Sequence, residues 1–276
     1  MTATTLRPTS AGPTLGVVTQ KRVVLSEWIK LRSLRSTIFA LLAAVVCTIG
    51  LGLLIAALRA NQIETNGGFH PGPDFDATAV TLRGVYLAQL AIGVLGVLVI
   101  TGEYSTGMIR ATLSAVPRRL PVLWAKAAVF AVVVFVSMGI SSLIAFEGGA
   151  AFFSGAGIHI SLSTPGAARA VLGAALYLTV IGLLGVGLGF LIRNTAGAIS
   201  ALFGLMLVLP PIANALPSSL YNDIDKYLPL IAGTQVMTTV GGGSSVLSPW
   251  AGMGVFTLYA VAAIGLGAVV LKRRDA

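Results

Sequence analysis

Charge is what this sequence has least of. Only 10% of its 276 residues are Asp, Glu, Lys or Arg, while 56% are hydrophobic; soluble domains carry about 25% charged residues. A soluble core of this length cannot hide so much apolar surface. A bilayer can, because lipid then solvates the outer face. Cysteine is reduced to Cys47, inside an apolar run. That excludes an intrachain disulfide and a cysteine metal cluster, and leaves a small apolar side chain in a helix. No Gly-Lys pair occurs, so there is no G-x-x-x-x-G-K-[ST] phosphate cradle. H-E-x-x-H is missing, and so is G-x-S-x-G, whose nearest echo at Ser154, Gly155 and Gly157 lacks the frame. The chain carries no catalytic machinery of its own and no cofactor or metal site is expected.

The few charges cut the chain into apolar runs. Spans are expected at about 37–58, 84–102, 122–146, 170–192, 197–217 and 250–271. Each approaches or exceeds the ~20 residues a helix needs to cross ~30 Å of hydrocarbon. The expected fold is an all-α polytopic membrane protein with six transmembrane helices. Residues 1–20, rich in Ser, Thr, Pro and Gly, read as a disordered cytoplasmic tail, and 21–276 as a single transmembrane domain. The first apolar run is too long for a signal-peptide core and lacks a cleavage site after it, so it is expected to stay as a span. Tyr227 to Leu271 is uncharged and long enough for two spans. Its first part, YLPLIAGTQVMTTV, is short and broken by Pro229 and Gly233. Such a segment re-enters the bilayer or lies at its interface. GGGSS at Gly241 to Ser245 then links to the last span.

Orientation follows from Lys and Arg. With the N-terminus inside, fourteen basic residues fall on the cytoplasmic side: Arg7, Lys21, Arg22, Lys30, Arg32, Arg35, Arg110, Arg118, Arg119, Lys126, Arg193, Lys272, Arg273 and Arg274. Four fall outside: Arg59, Arg83, Arg169 and Lys226. A seventh span at Tyr227 would spoil this bias. Both termini are therefore expected in the cytoplasm, with the protein in the plasma membrane. The net charge of +9 flanks apolar runs, which points to anionic headgroups and not to nucleic acid.

Inside the spans little is polar. Lys126 and Glu103 lie near cytoplasmic ends and Glu147 near an outer one, which disfavours proton coupling through the membrane centre. Gln89 is the most polar side chain well inside a span. It reads as an interhelical hydrogen-bond donor, with a contact on the translocation path as the alternative. Gly182, Gly185 and Gly189 form a small-residue ridge for close helix packing, within one subunit in preference to a dimer seam. His70, Asp74 and Asp76 make a loose H-x-x-x-D-x-D in the first outer loop, but Pro71, Gly72 and Pro73 favour a solvated turn over a metal site.

Two cytoplasmic elements stand out. In Lys21 to Arg35, KRVVLSEWIKLRSLR, one side of a helical wheel carries Val24, Leu25, Trp28, Ile29 and Leu31, and the other Arg22, Ser26, Lys30 and Ser33. This predicts an amphipathic helix on the inner leaflet, either a topogenic anchor or a docking surface. After the second span, GEYSTGMIRATLSAVPRRLP is bracketed by Gly102 and Pro117, and Tyr104 to Ala115 spells three helical turns. Glu103 is expected at the N-terminus of that short helix, where the macrodipole favours a carboxylate. A rigid helix there can transmit a push; an ordinary basic loop fits equally.

The runs SEWIKLRSLRSTIFALL and TGEYSTGMIRATLSAVPRR, the latter followed by LPVLWAKA, resemble actinobacterial-style permease subunits of ABC exporters, the type-two or drug/antibiotic exporter family. The resemblance covers essentially the whole chain. It implies a permease without a nucleotide site, paired with a separate cytoplasmic ATP-binding subunit that holds ATP and Mg, and with a second permease copy in a homo- or heterodimer. It implies a coupling helix after span two, with Glu103, Tyr104, Met108, Arg110 and Arg118 at the ATPase interface. The N-terminal helix, with Glu27, Trp28, Lys30 and Arg32, would lie alongside, and Asn222 to Val240 would match outer re-entrant helices. The rival readings are an ATPase-independent transporter or channel and a membrane-embedded enzyme or assembly factor.

Overall fold

The computed structural model describes residues 20–65, 72, 75–109, 119–240 and 246–273. Among these residues there is no strand, and six helices are long and apolar enough to cross a membrane. Helix α1 (Gln20–Ser33) breaks at Leu34, whose extended backbone (φ −80°, ψ 116°) lets the first span, α2 (Arg35–Thr65), set off in a new direction. A short helix, α3 (Ala77–Thr81), precedes the second span, α4 (Val85–Ser105). The third and fourth spans are α5 (Arg119–Gly155) and α6 (Ala167–Ile192). The fifth is α7 (Thr195–Asn214), followed by short helices α8 (Ser218–Ile224) and α9 (Pro229–Thr234), and then the last span, α10 (Pro249–Arg273).

The span count agrees with the charge pattern, but two lengths differ from expectation. Helix α2 runs on to Thr65 with a π turn at Cys47–Leu51. Helix α5 has 37 residues, or about 55 Å at 1.5 Å per residue, well beyond ~30 Å of hydrocarbon. A charge marks where a helix leaves apolar surroundings, not where its hydrogen bonding ends. Glu147, an exposed residue, simply sits within α5.

Helix α6 lies at the centre, packed by α4, α5 and α10. Its glycine ridge faces inward. A Cβ on Gly96 of α4 would stand 2.1 Å from the carbonyl oxygen of Gly182, and one on Gly185 would stand 2.5 Å from that of Gly93. The two backbones touch directly, as small residues allow. Ile92, Phe130, Leu178, Phe190 and Phe256 fill the core around this seam.

At the end of the bundle away from α1, the interrupted stretch before α10 folds back onto the protein. Pro229, Ala232 and Gly233 of α9 are buried against α6 and α10. Asp76 accepts the Ala79 N–H at 2.8 Å, capping α3, and also accepts from the Thr239 hydroxyl at 2.7 Å and the Val240 N–H at 3.2 Å. Its carboxylate thus clasps the first loop to the segment preceding α10. His70, Asp74 and the GGGSS linker lie outside the described residues, as does most of the N-terminal tail.

Candidate functional site

The local structure around Glu103 corrects one expectation. Helix α4 does not stop at Gly102; it continues through Glu103 to Ser105. A glycine inside a helix lowers its stability without ending it. The break comes at Gly107, whose φ of +70° is left-handed. Glu103 therefore sits in the last turn of a span and not at a helix N-terminus. There the macrodipole opposes a carboxylate, so the charge needs cationic neighbours. Helical backbone resumes at Met108 and Ile109. The rest of the expected coupling helix, with Arg110, and also Arg118 lie outside the described residues.

The neighbours come from two other places in the chain, α1 and α5. Lys126, about two turns into α5, donates to Glu103 Oε1 at 2.9 Å and to Glu27 Oε2 of α1. Lys30 of α1 donates to Glu27 Oε1 at 2.8 Å and to Glu103 Oε1 at 3.0 Å. Two ammonium and two carboxylate groups thus close a neutral quartet among α1, α4 and α5. Glu27 is 1%, Lys126 2% and Glu103 7% exposed. Among the described residues Glu103 Oε2 finds no hydrogen-bond donor. Burial by itself pulls the Lys30 ammonium down, but the hydrogen bond to Glu27 and the charge of Glu103 outweigh it, and the group is held above its ordinary value.

Helix α1 can reach this position because Val23, Glu27 and Leu31 fall four residues apart and form its buried stripe. Leu31 therefore leaves the apolar side assigned by the wheel and faces protein. Val24, Leu25, Trp28 and Ile29 stay exposed, as an interfacial helix requires. Trp28, Arg32 and Met108 are all exposed.

A second junction starts at the next residue. The Arg193 guanidinium lies 5.2 Å from the Tyr104 ring centroid, a cation–π distance, and donates to the Val270 carbonyl at 3.3 Å near the end of α10. Arg193 itself is left-handed (φ 59°) and closes α6, and the Asn194 side chain caps α7 by accepting the Gly197 N–H at 2.9 Å. Thr195 donates to Thr101 at 2.9 Å. The final turn of α4 therefore ties α1 and α5 on one side to α6, α7 and α10 on the other.

Of the residues singled out from sequence, the structure unites Glu27, Lys30 and Glu103. Lys126, the cation they share, stood out only as a charge near a cytoplasmic end and was not expected at the interface. Its signal was a lysine inside an apolar run, which demands a buried partner. Gln89 lies elsewhere, enclosed between α4 and α6. It makes the expected interhelical hydrogen bond in the opposite sense: the Tyr177 hydroxyl donates to its Oε1, while its Nε2 donates to the Tyr86 carbonyl of its own helix at 2.9 Å. Tyr177 also stacks on Phe256 of α10 at 5.1 Å.

The quartet and the first four spans lie within one family match. The family model described as ABC-2 family transporter protein matches residues 23–210, more than half of the chain. The chain belongs to the ABC-2 transporter family. As an ABC-2 permease it is a multi-pass membrane transport component, and such permeases typically work with an ATP-binding subunit. The ABC-2 match takes in all four members of the quartet and Arg193, and ends within α7, before α8, α9 and α10. No curated protein sequence matches the chain.

Proposed function

We propose that the chain is the permease subunit of an ATP-driven exporter, working in the plasma membrane with both termini in the cytoplasm. A separate cytoplasmic subunit binds ATP and Mg and hydrolyses the nucleotide. A second permease copy completes a path that alternates between inward- and outward-open. The cargo is apolar or amphipathic. The observation carrying this reading is the quartet: in a chain of the ABC-2 family, it joins the end of span two to the N-terminal helix and the third span.

The physical argument is one of leverage. A push on the end of α4 at Tyr104 and on the loop after it, through Met108, Arg110 and Arg118, meets a helix end held by Lys126. Because Lys126 also holds Glu27, α1 and α5 move with α4 and do not slide past it. Glu27, Lys30 and Glu103 act as internal anchors, and the loop beyond them meets the ATPase, with α1 alongside. A place for Gln89 on the path would require Tyr177 to release it.

Vesicles containing the permease and its ATP-binding subunit test this. ATP-dependent uptake into inside-out vesicles is expected, and Lys126→Met should abolish uptake while ATP hydrolysis continues. Transport at full rate without any ATP-binding subunit would overturn the reading in favour of a secondary transporter. Undiminished pumping by the Lys126 variant would remove the quartet from the coupling path.

A further inference from the structure

Beside the exposed face of α1 lie two apolar grooves, one between α1 and α5 and the other among α1, the start of α2 and α5, and Trp28 lines both. The first, about 670 Å³, is walled by Val24, Leu25 and Val132, with Lys21 at its edge. The second, about 330 Å³, is walled by Leu31, Ile38 and Val133, with Arg32 at its edge. Lys21 and Arg32 are eleven residues apart, about 16 Å along the axis and within a few tens of degrees of Trp28 around it. Each groove thus pairs an apolar slot, opening beside a span, with one cation. Trp28 between them is 46% exposed, a ring suited to headgroup depth.

The charge on this face is of one sign. The only carboxylate of α1, Glu27, is turned into the quartet, as is Glu103. The remaining described carboxylates, Glu64, Asp76, Glu147, Asp223 and Asp225, lie toward the other end of the spans. A second copy of the chain therefore brings none of these to the groove edges. A phospholipid with a net negative headgroup supplies both halves of the match: chains for the slots and phosphate for the cations.

We propose that the grooves flanking Trp28 are seats for anionic phospholipid, with phosphates on Lys21 and Arg32 and acyl chains against α5. This goes beyond a helix resting on the leaflet, since it demands selection of headgroup charge.

The sequence holds three tryptophans, Trp28, Trp124 and Trp250, so W124F with W250F leaves Trp28 as the only reporter. This full-length variant is placed in phosphatidylcholine vesicles doped with lipid brominated on its acyl chains, either phosphatidylglycerol or phosphatidylcholine. Brominated phosphatidylglycerol should quench Trp28 at about fivefold lower mole fraction, the effect expected of one cation near an anionic headgroup. The preference should vanish in K21Q/R32Q and persist in K21R/R32K. A variant retaining only Trp250, at the opposite end of the bundle, should show no preference. Equal quenching of Trp28 by both lipids, or equal preference at Trp250, would mean ordinary annular lipid and overturn the proposal. Absence of quenching by either would mean that protein covers the grooves, and would overturn it too.

Discussion

The Lys126 ammonium lies 2.9 Å from a carboxylate oxygen of Glu103, although the two side chains belong to consecutive spans and both are buried. The same ammonium reaches Glu27, 99 positions away in the chain. Glu103 occupies a helix end whose dipole repels it, so the lysine answers both that dipole and the carboxylates. Removing one partner of such a set leaves an uncompensated buried charge, whereas neutralising all partners together does not.

That asymmetry gives the first prediction. Lys126→Met should destabilise the detergent-solubilised protein by about 3–5 kcal/mol, seen as a lower apparent melting temperature. Adding Lys30→Met, Glu27→Gln and Glu103→Gln to the same chain, which neutralises the whole set, should recover most of the loss. If the quadruple variant is no more stable than Lys126→Met alone, the quartet is not a closed electrostatic unit.

Lys30 predicts a pH dependence. Its folded-state value is raised above 10.5, so its contribution is fully present below that pH and is lost as pH climbs through the shifted value. The stability difference between wild type and Lys30→Met should stay constant through neutral and mildly alkaline solution and shrink only above about 10.5. A difference that instead disappears near neutrality would contradict the arrangement around Lys30.

Two glycines of α4 should respond with opposite signs. A Cβ at Gly96 would collide with the Gly182 backbone, while at Gly102 there is nothing within 4 Å. Gly96→Ala should cost about 1–3 kcal/mol or more by forcing α4 and α6 apart. Gly102→Ala should stabilise by about 0.5–1 kcal/mol, the ordinary gain from replacing a glycine inside a helix. Thermal unfolding of the pair reads both; a loss at Gly102 would mean that the helix ends there after all.

Tyr177→Phe removes the hydroxyl that Gln89 accepts from, leaving a buried amide oxygen without its donor. The expected cost is about 1 kcal/mol, the scale of interhelical hydrogen bonds within membranes. Combining it with Gln89→Leu should cost little more than Tyr177→Phe alone. Full additivity in that double-mutant cycle would show that the two groups do not interact.

Much of the fold was legible without coordinates, because lipid imposes a length and a composition on anything that crosses it. Six uncharged runs of sufficient length mark the six apolar helices, and the break at Pro229 and Gly233 marks a stretch that does not continue as one long helix. Helix ends were less legible. Gly102 reads as a boundary and is interior, because a single glycine cannot outweigh continued hydrogen bonding and packing. Residues 147–155 read as a loop and extend α5, because leaving lipid does not unwind a helix.

The candidate site divides the same way. Hydropathy marks Glu27, Lys30, Glu103 and Lys126 as charges at the edges of apolar runs; the family motifs contain all four, but only the first three were expected at the interface. Their pairing is a different kind of fact. It depends on α1 turning its Val23–Glu27–Leu31 stripe inward and on α4 and α5 ending side by side. Composition determines which segments lipid will accept. Only tertiary packing decides which faces of those segments meet, because helices of similar greasiness are told apart by the shape and charge of what they press together, and that is set between segments far apart in the chain.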